Sequence, residues 1–305
     1  MTAAITLAAA AYPLDWFEDW AAYEAKITRW VSEAAGQGAQ LLVFPEYGAM
    51  ELASLGGAAV AADPEGALRE VDRHRAAARD LHLRLAARHQ VHILTGSGPA
   101  YGLAHAAGRP VNRASLVGPT GLLGHQDKAM MTRFERDEWN IVAGEGLAVF
   151  ETDLGRIGVL ICYDSEFPLL GRALAEAGVE ILLVPSATEA LAGFTRVRVG
   201  AMARALEGQM IVVHAPMVGT APWCAGMEQG TGAASVYGPP DRGFPATGIL
   251  AEGRLDAPGW VYAEVSTAAV AEVRADGMVL TLRHWPEQLP QLSRVTRHAA
   301  PAHSA

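Results

Sequence analysis

The chain has 305 residues, of which half are apolar and 19% are charged, so it is long and apolar enough for one large globular domain or two small ones and is not a disordered chain. Its formal net charge of -9 comes without a basic stripe, which argues against nucleic acid or an anionic membrane surface as a partner. Two cysteines allow one bridge but are too few for a disulfide framework, and they favour a reducing, cytoplasmic location.

The N-terminal segment predicts a buried strand. Its first residues lack the positively charged leader of a secretory signal peptide, and Ile5–Ala10 is a short apolar run. No uncharged apolar run in the sequence reaches the length that spans a bilayer. We therefore expect neither a secretion signal nor a membrane anchor.

The first part of the chain alternates predicted strands with amphipathic helices. Apolar residues recur at helical spacing over Trp16–Ala35 and Pro64–Gln90. A short apolar strand follows each helix, at Gln40–Phe44 and Val91–Thr95. This alternation is typical of an α/β protein with strands buried under helices.

Two predicted hairpins interrupt this alternation. Ala114–Val117 and Leu122–Gln126 flank a Pro-Thr-Gly turn, and Leu147–Glu151 and Arg156–Ile161 form a second hairpin that ends on Cys162. Because hairpin strands run antiparallel, we expect mixed sheets instead of purely parallel ones.

The second part predicts further helices and strands, followed by a weakly patterned tail. Helices are expected over about Pro168–Ala177 and Thr195–Glu207. The later predicted strands are Ile181–Val184, Met210–Val213, Ala234–Tyr237, Thr247–Leu250 and Trp260–Val265. We predict a single α/β domain over residues 1–285, and a tail over residues 286–305 that is either disordered or wraps a partner subunit.

Three segments at strand ends carry candidate catalytic side chains. Glu46 follows an apolar strand and a proline, at a sheet edge where α/β folds place ligands. Lys128 follows a strand of the first hairpin. Cys162 precedes a predicted helix, where a helix N-terminus and nearby cations lower the pKa of a thiol. Taken singly, each residue also suits an ordinary role, as a solvated acid, a surface lysine or a buried structural cysteine.

The order of these segments resembles the nitrilase superfamily of carbon–nitrogen hydrolases, over nearly the whole chain from the first strand to about Val265. The matching motifs are Phe44-Pro-Glu46, Asn112-Arg-Ala114, Gly121 with Asp127-Lys128, Phe150 with Gly155-Arg-Ile-Gly158, Cys162-Tyr-Asp164 and Arg204-Ala-Leu-Glu207. Each motif is short, but all of them in this order are specific. The resemblance implies a four-layer α-β-β-α sandwich and a catalytic triad of Glu46, Lys128 and Cys162.

The resemblance also implies a fourth catalytic residue, a glutamate seven positions after the lysine. Glu135 occupies that position, and Glu138 lies nearby as the alternative. Further candidate substrate contacts are Tyr163, Trp139, Glu138, Thr188 and Glu189. We expect no metal and no cofactor, because the sequence has neither a histidine pair with an acid at zinc-binding spacing nor a phosphate-binding loop.

These residue types suit the hydrolysis of an amide. Glu46 is expected to shuttle the proton, Cys162 to form a thioester, and Lys128 with the backbone N–H of Tyr163 to stabilise the tetrahedral oxyanion. The Cys-Tyr-Asp sequence resembles the amidase and carbamoylase branches, since nitrile-cleaving relatives more often have Trp and Glu after the cysteine. The predicted substrate is therefore a small carboxamide or N-carbamoyl compound that releases ammonia or an amine. A nitrilase, an acyltransferase and a non-catalytic binding protein on the same fold remain as alternatives.

Two predicted helices bear on assembly. In the family, the helix after the cysteine and the helix that carries Arg204 and Glu207 usually pack against a second subunit. We therefore expect a homodimer or a larger homo-oligomer.

Overall fold

The structure, a computed structural model, describes residues 4–298. Within these residues the strands, numbered β1 to β15 in chain order, are Ile5–Ala11, Leu41–Val43, His92–Leu94, Gly98–Ala100, Val111–Gly118, Gly121–Asp127, Val149–Thr152, Gly155–Val159, Ile181–Ser186, Ile211–Pro216, Gly219–Thr220, Gln229–Gly230, Ser235–Tyr237, Ile249–Glu252 and Gly259–Val265. The α-helices α1 to α8 of the same part of the chain are Trp20–Gly36, Ala58–Ala61, Pro64–His89, Arg133–Asp137, Pro168–Glu176, Leu191–Gly208, Thr267–Asp276 and Thr281–His284. Short 3-10 helices occupy Gly48–Gly56, Ala104–Ala106, Cys162–Glu166 and Trp285–Gln291.

The described strands form two large mixed sheets and one small ribbon. The first sheet has the order β15-β1-β2-β3-β5-β4, with β6 paired to β5, and the second has the order β14-β13-β10-β9-β8-β7. In each sheet the central pairs are parallel and the outer pairs are antiparallel. The two predicted hairpins are confirmed as β5–β6 and β7–β8. The prediction of mixed sheets is therefore confirmed.

Alternation along the strands of the first sheet separates its two faces. In β1, Leu7 and Ala9 belong to the apolar cluster that also contains residues of the second sheet, such as Ile157. Their neighbours Ala8 and Ala10 belong instead to the cluster formed with helices α1 and α3. Because successive side chains of a strand point to opposite faces, one face of this sheet packs on the other sheet and the opposite face packs on helices.

Helices α5 and α6 cover the outer face of the second sheet. Their buried residues Leu174, Val197 and Ala201 pack in the cluster of that sheet. The resulting layers are helix, sheet, sheet and helix, so the predicted four-layer α-β-β-α sandwich is confirmed. The loops that follow β2, β6, β8 and β9 supply the residues described below.

Several element boundaries differ from the sequence prediction. Helix α1 begins at Trp20, because the Asp19 side chain caps it by accepting a hydrogen bond from the N–H of Ala22 at 2.9 Å. Strand β8 ends at Val159 and not at Ile161, because the chain turns into the 3-10 helix that starts at Cys162. Helix α7 was not predicted, since it buries little more than Val270 and Val273 and has a weak apolar pattern.

The C-terminal tail is exposed as far as the structure describes it. Residues 286–298 are all exposed, and residues 299–305 of the predicted tail lie outside the described residues. Among the helices of residues 4–298, none is long and apolar enough to cross a membrane. The single domain over residues 1–285 and the wrapping role of the tail stay predictions.

Candidate active site

Four predicted catalytic residues meet at one cavity of about 430 Å³. Glu46 follows β2, Lys128 follows β6, and Cys162 begins the 3-10 helix after β8. Glu135 lies on the short helix α4. All four side chains are buried, with exposures between 1% and 4%. Residues that are far apart in the sequence therefore share one site that is shielded from bulk water.

Lys128 lies between two buried carboxylates. Its Nζ donates a hydrogen bond to Glu46 Oε1 at 2.7 Å and another to Glu135 Oε2 at 2.7 Å. Burial by itself would lower the pKa of the ammonium, but the charges of Glu46 and Glu135 raise it above its ordinary value. Lys128 is therefore a fixed cation and is not a proton donor at neutral pH.

Glu46 is held in place on both of its oxygens. Oε1 accepts from Lys128 and from Asn112 Nδ2 at 3.0 Å, and Oε2 accepts from the backbone N–H of Ala187 at 2.9 Å. Burial raises the pKa of this carboxyl, the Lys128 charge opposes that effect, and the Glu135 charge adds to it. A carboxylate with a raised pKa is a better proton acceptor than an ordinary glutamate, which suits a general base.

Glu135 is saturated by donors. Oε1 accepts from the Tyr47 hydroxyl at 2.6 Å, and Oε2 accepts from Lys128 and from both the N–H and the hydroxyl of Thr132 at 2.8 and 2.9 Å. Thr132 caps helix α4, and Glu135 completes the capping box. Despite burial, these donors and the Lys128 charge lower the pKa of Glu135. Glu135 thus remains ionised and fixes the position of Lys128.

Cys162 has a strained backbone conformation. Its φ is 49°, in the left-handed region that non-glycine residues rarely adopt and that costs about 1–3 kcal/mol. The surrounding turn holds it there, because the Ser165 hydroxyl donates to the Cys162 carbonyl at 2.7 Å and Arg204 Nη1 donates to the Ser165 carbonyl at 2.7 Å. Cys162 lines the cavity, and its Sγ lies 3.8 Å from the carbonyl oxygen of Ala187.

The expected lowering of the thiol pKa is wrong. Burial, followed by the negative charge of Glu46, raises the pKa of Cys162 well above its usual value, and Lys128 only partly offsets this. The 3-10 helix that begins at Cys162 is too short to supply the field that the sequence suggested. In the resting state the thiol is therefore neutral and needs a base to become a nucleophile.

Asp164 joins the lysine loop to the cysteine turn, a role that the sequence alone did not reveal. Its fully buried carboxylate accepts hydrogen bonds from the backbone N–H groups of Ala129 at 3.1 Å, Met130 at 2.7 Å and Ile161 at 3.1 Å. Burial raises the pKa of Asp164 to about 7, although Lys128 and the three N–H donors oppose this. The signal in the sequence was an acid two positions after the cysteine, but its partners lie mostly on another segment.

Three further residues of the site were also missed as functional residues. Asn112 on β5 binds Glu46, Tyr47 binds Glu135, and Ala187 after β9 contacts both Glu46 and Cys162 through its backbone. The motif that contains Asn112 was visible in the sequence, but its contact with Glu46 was not. The backbone contacts of Ala187 carry no side-chain signal at all.

The predicted substrate contacts divide into two groups. Tyr163, Trp139, Thr188 and Glu189 line the cavity. Glu138 does not line it, because this residue is the exposed C-cap of helix α4. Of the two acids considered, the structure therefore brings Glu135 to Lys128 and leaves Glu138 in solvent.

Metal ligands are not clustered in this site. Among residues 4–298, no group of three or more His, Cys, Asp or Glu side chains has the arrangement of a metal site. The space between the two buried carboxylates is filled by the Lys128 ammonium. The chain itself thus supplies the cation beside the thiol.

The fold and the site define a class, that of α-β-β-α proteins with a buried Glu-Lys-Cys constellation. Residues 5–275 match the family model for carbon-nitrogen hydrolases. The chain is 30% identical over 258 residues to the probable hydrolase YhcX of Bacillus subtilis, covering 85% of this chain and 49% of that protein. It is 31% identical over 172 residues to the bifunctional nitrilase/nitrile hydratase NIT4A of Lupinus angustifolius, covering 53% of this chain and 48% of that protein.

A solved structure shows the same fold. An amidase from Nesterenkonia sp. superimposes with a TM-score of 0.67 and 25% sequence identity, covering 90% of this chain and 95% of that one. The chain spans about half the length of each of these two curated relatives. The chain belongs to the carbon–nitrogen hydrolase family, within the nitrilase superfamily, which confirms the resemblance identified from its motifs.

The raised pKa of the Cys162 thiol predicts slow alkylation at neutral pH. The rate of reaction with iodoacetamide should rise with pH until above 9.0, the ordinary thiol value, because the thiolate forms only there. Intact mass at each pH measures the rate, and Cys162→Ala measures the background from Cys224, a buried thiol whose pKa burial raises to about 12. An inflection of the alkylation rate below pH 9.0 would show that the thiol pKa is lowered instead.

The hydrogen bonds of the Asp164 carboxylate predict that it positions the Lys128 loop and the Cys162 turn. In Asp164→Asn the amide cannot accept all three backbone N–H groups, so the Lys128 loop and the Cys162 turn should shift apart. We expect kcat to fall on the order of 100-fold, the scale for misplacement by about 1 Å, with a smaller change in KM. Asp153→Asn, in the exposed turn between β7 and β8, is the control and should keep wild-type kcat. Equal kcat values in the two variants would show that Asp164 has no such role.

Proposed function

We propose that this protein hydrolyses the carbon–nitrogen bond of a small amide or N-carbamoyl compound through a thioester on Cys162. The observation that carries the proposal is the placement of the Cys162 thiol, the buried Glu46 carboxylate and the Lys128 ammonium at one cavity. A cavity of about 430 Å³ lies within the usual range of about 300–1,000 Å³ for small-molecule sites.

In the first half of the reaction, Glu46 takes the proton of the Cys162 thiol as the sulfur attacks the substrate carbonyl. The raised pKa of Glu46 makes this carboxylate a better acceptor for that proton than an ordinary glutamate. Glu46 then gives this proton to the departing nitrogen. The carbon–nitrogen bond breaks, and a thioester with Cys162 remains.

Lys128 stabilises the oxyanion of the tetrahedral intermediate. An ammonium has three N–H donors, of which Glu46 and Glu135 take two, so one remains for the substrate oxygen. The backbone N–H of Tyr163 is the second donor that we assign to this oxygen. Each donor of this kind typically contributes about 3–4 kcal/mol to lowering the barrier.

In the second half of the reaction, water replaces the amine. Glu46 accepts a proton from this water as its oxygen attacks the thioester carbonyl, and the carbon–sulfur bond breaks. The Cys162 thiolate then recovers the proton from Glu46, and the carboxylic acid product leaves. Glu135 takes no proton in either half, because its saturated hydrogen bonds and lowered pKa keep it ionised.

A nitrile is the second candidate substrate. The observation in its favour is the similarity to the bifunctional nitrilase/nitrile hydratase NIT4A, and the same thiol, base and cation suit attack on a nitrile carbon. The Tyr163 and Asp164 residues that follow the cysteine support the amide instead. Direct comparison of amides, N-carbamoyl amino acids and nitriles as substrates decides between these classes.

Replacement of the thiol tests the mechanism. Cys162→Ala should lower the rate of ammonia release by on the order of 10⁴-fold or more, because no thioester forms. The change leaves the ion pairs of Lys128 intact, so the variant should stay folded. Ammonia assays on the three substrate classes, with acid-quenched samples for intact mass, should show an acyl adduct on the wild type and none on the variant.

The matched control for this experiment is Cys224→Ala. Cys224 is the other cysteine of the chain, is buried, and lies outside the residues that line the cavity. This variant should keep both activity and adduct. Undiminished ammonia release by Cys162→Ala would overturn the assignment of the nucleophile.

We further propose that the protein is a cytoplasmic homodimer or larger homo-oligomer. Support for assembly comes from helices α5 and α6, which pack side by side and expose the apolar side chains of Leu169, Val199 and Leu206 to between 47% and 72%. Support for a reducing compartment comes from the two unpaired cysteines.

Size-exclusion chromatography coupled to light scattering should give a particle of at least twice the chain mass of 32.2 kDa. A double substitution, Leu169→Glu with Val199→Glu, should shift the particle to the single-chain mass by placing charges in the apolar contact. Leu122→Glu, which changes an exposed leucine on β6, is the control and should leave the mass unchanged. A wild-type protein of single-chain mass would contradict the proposed assembly.

A further inference from the structure

The cavity carries more acidic than basic groups outside its catalytic residues. Glu166, Glu189 and Glu228 line it, and Arg196 is the cation among the other described lining residues. The catalytic group of Glu46, Glu135 and Lys128 adds two carboxylates and one ammonium. The groups that line the cavity therefore carry a net negative charge, which favours a cationic ligand.

The acidic groups lie where a substrate enters. Glu189 and Glu228 are exposed residues on the segments after β9 and before β12, and Glu166 is half-buried at the end of the 3-10 helix that starts with Cys162. Glu228 is oriented by the loop itself, since its Oε1 accepts a hydrogen bond from the N–H of Gly226 at 2.9 Å. Glu189 and Glu228 are thus on the solvent side of the buried catalytic residues, where the end of a substrate that is not attacked would lie.

Arg196 does not reverse this field. Its Nε lies 3.5 Å from Glu166 Oε1, and its side chain is 62% exposed. The guanidinium therefore compensates the nearest carboxylate, that of Glu166. Glu189 and Glu228 remain without an equivalent cation among the described residues that line the cavity.

Aromatic rings line the same region and favour the same charge. Phe134, Trp139 and Tyr163 line the cavity, and Phe134 is 43% exposed. The faces of such rings attract ammonium and guanidinium groups and offer nothing comparable to a carboxylate. Trp139 is fixed in this wall by edge contacts with Tyr47 and Phe134, at centroid distances of 4.9 and 5.0 Å.

We propose that the site selects amides whose remote end carries an ammonium or guanidinium group. This inference rests on the proposed amide hydrolysis and adds the charge of the substrate to it. The amide lies at Cys162, the apolar stem lies along the aromatic wall, and the cationic end lies between Glu189 and Glu228. A carboxylate at that end would meet two like charges and is disfavoured.

Three probes of similar length and different charge test the inference. They are 5-aminopentanamide, which is cationic, its neutral analogue hexanamide, and glutaric acid monoamide, which is anionic. For the wild type, kcat/KM should decrease in that order, with the difference residing in KM because the remote charge contributes equally to ground-state and transition-state binding. Raising the ionic strength to about 1 M, where the screening length is about 3 Å, should reduce the preference.

Single and paired substitutions locate the selectivity. Glu189→Gln and Glu228→Gln should each raise KM for the cationic probe by about two- to fivefold, the range for exposed ion pairs, and should affect KM for hexanamide less. Glutamine in place of Glu228 keeps an acceptor for the N–H of Gly226, so the loop should hold its conformation. Glu138→Gln is the matched control, because this exposed acid of the same protein does not line the cavity.

Calorimetry measures the binding of the same probes to Cys162→Ala. This measurement separates the preference for a cationic substrate from the proposed amide hydrolysis. Charge-ordered dissociation constants without turnover by the wild type would support the inference and count against amide hydrolysis. Ammonia release with equal KM values for all three probes, or a preference for the anionic probe, would overturn the inference and leave amide hydrolysis standing. An equal response of Glu138→Gln and the two cavity variants would also overturn it.

Discussion

The site depends on the two ion pairs that the buried ammonium of Lys128 makes with Glu46 and Glu135. Bringing one lysine and two carboxylates out of water is costly, and the hydrogen bonds between them must offset that cost. Removing one partner of such a pair typically destabilises a protein by about 3–5 kcal/mol, because the remaining charges stay buried. The network therefore fixes three segments relative to one another: the loop after β2, the loop after β6, and helix α4. It also fixes the distances between their charged side chains.

The same network divides the roles of its two glutamates. Glu135 accepts four short hydrogen bonds and has a lowered pKa, whereas Glu46 has a raised pKa and contacts the thiol. Two carboxylates that share one lysine thus differ in proton affinity because their other neighbours differ. A single pocket thus holds one carboxylate that stays ionised and a second that binds a proton more readily.

A second constraint acts through the backbone. Cys162 occupies a left-handed conformation that is unfavourable by itself, and Ser165, Arg204 and Asp164 hold the turn around it. Asp164 also accepts hydrogen bonds from the N–H groups that follow Lys128, so Cys162 and Lys128 share one rigid support. The mouth of the cavity contrasts with this interior, since Glu189 and Glu228 are exposed there and their charges are partly screened by water.

The sequence by itself determined the elements that have strong local patterns. Apolar alternation and two hairpin turns predicted the mixed sheets. The motifs around Glu46, Lys128 and Cys162 carried the resemblance to the family, and that resemblance implied the four layers. Spacing from Lys128 favoured Glu135 over Glu138, but the decision came from helix α4, whose capping box directs Glu135 inward and leaves Glu138 at the exposed end. The weakly patterned helix α7 escaped prediction because its stability comes from packing on the folded core.

Tertiary structure alone decided the electrostatics. The thiol pKa is raised instead of lowered because burial and Glu46 act together, and neither effect is visible in a local motif. The contacts of Asp164 with Ala129 and Met130, and the meeting of Glu166, Glu189 and Glu228 at one cavity, join segments that are distant along the chain. Charge and burial depend on distances in space, whereas a sequence records only order. The motifs therefore pointed to Glu46, Lys128, Cys162 and Glu135, but not to their proton affinities or to the residues that support them.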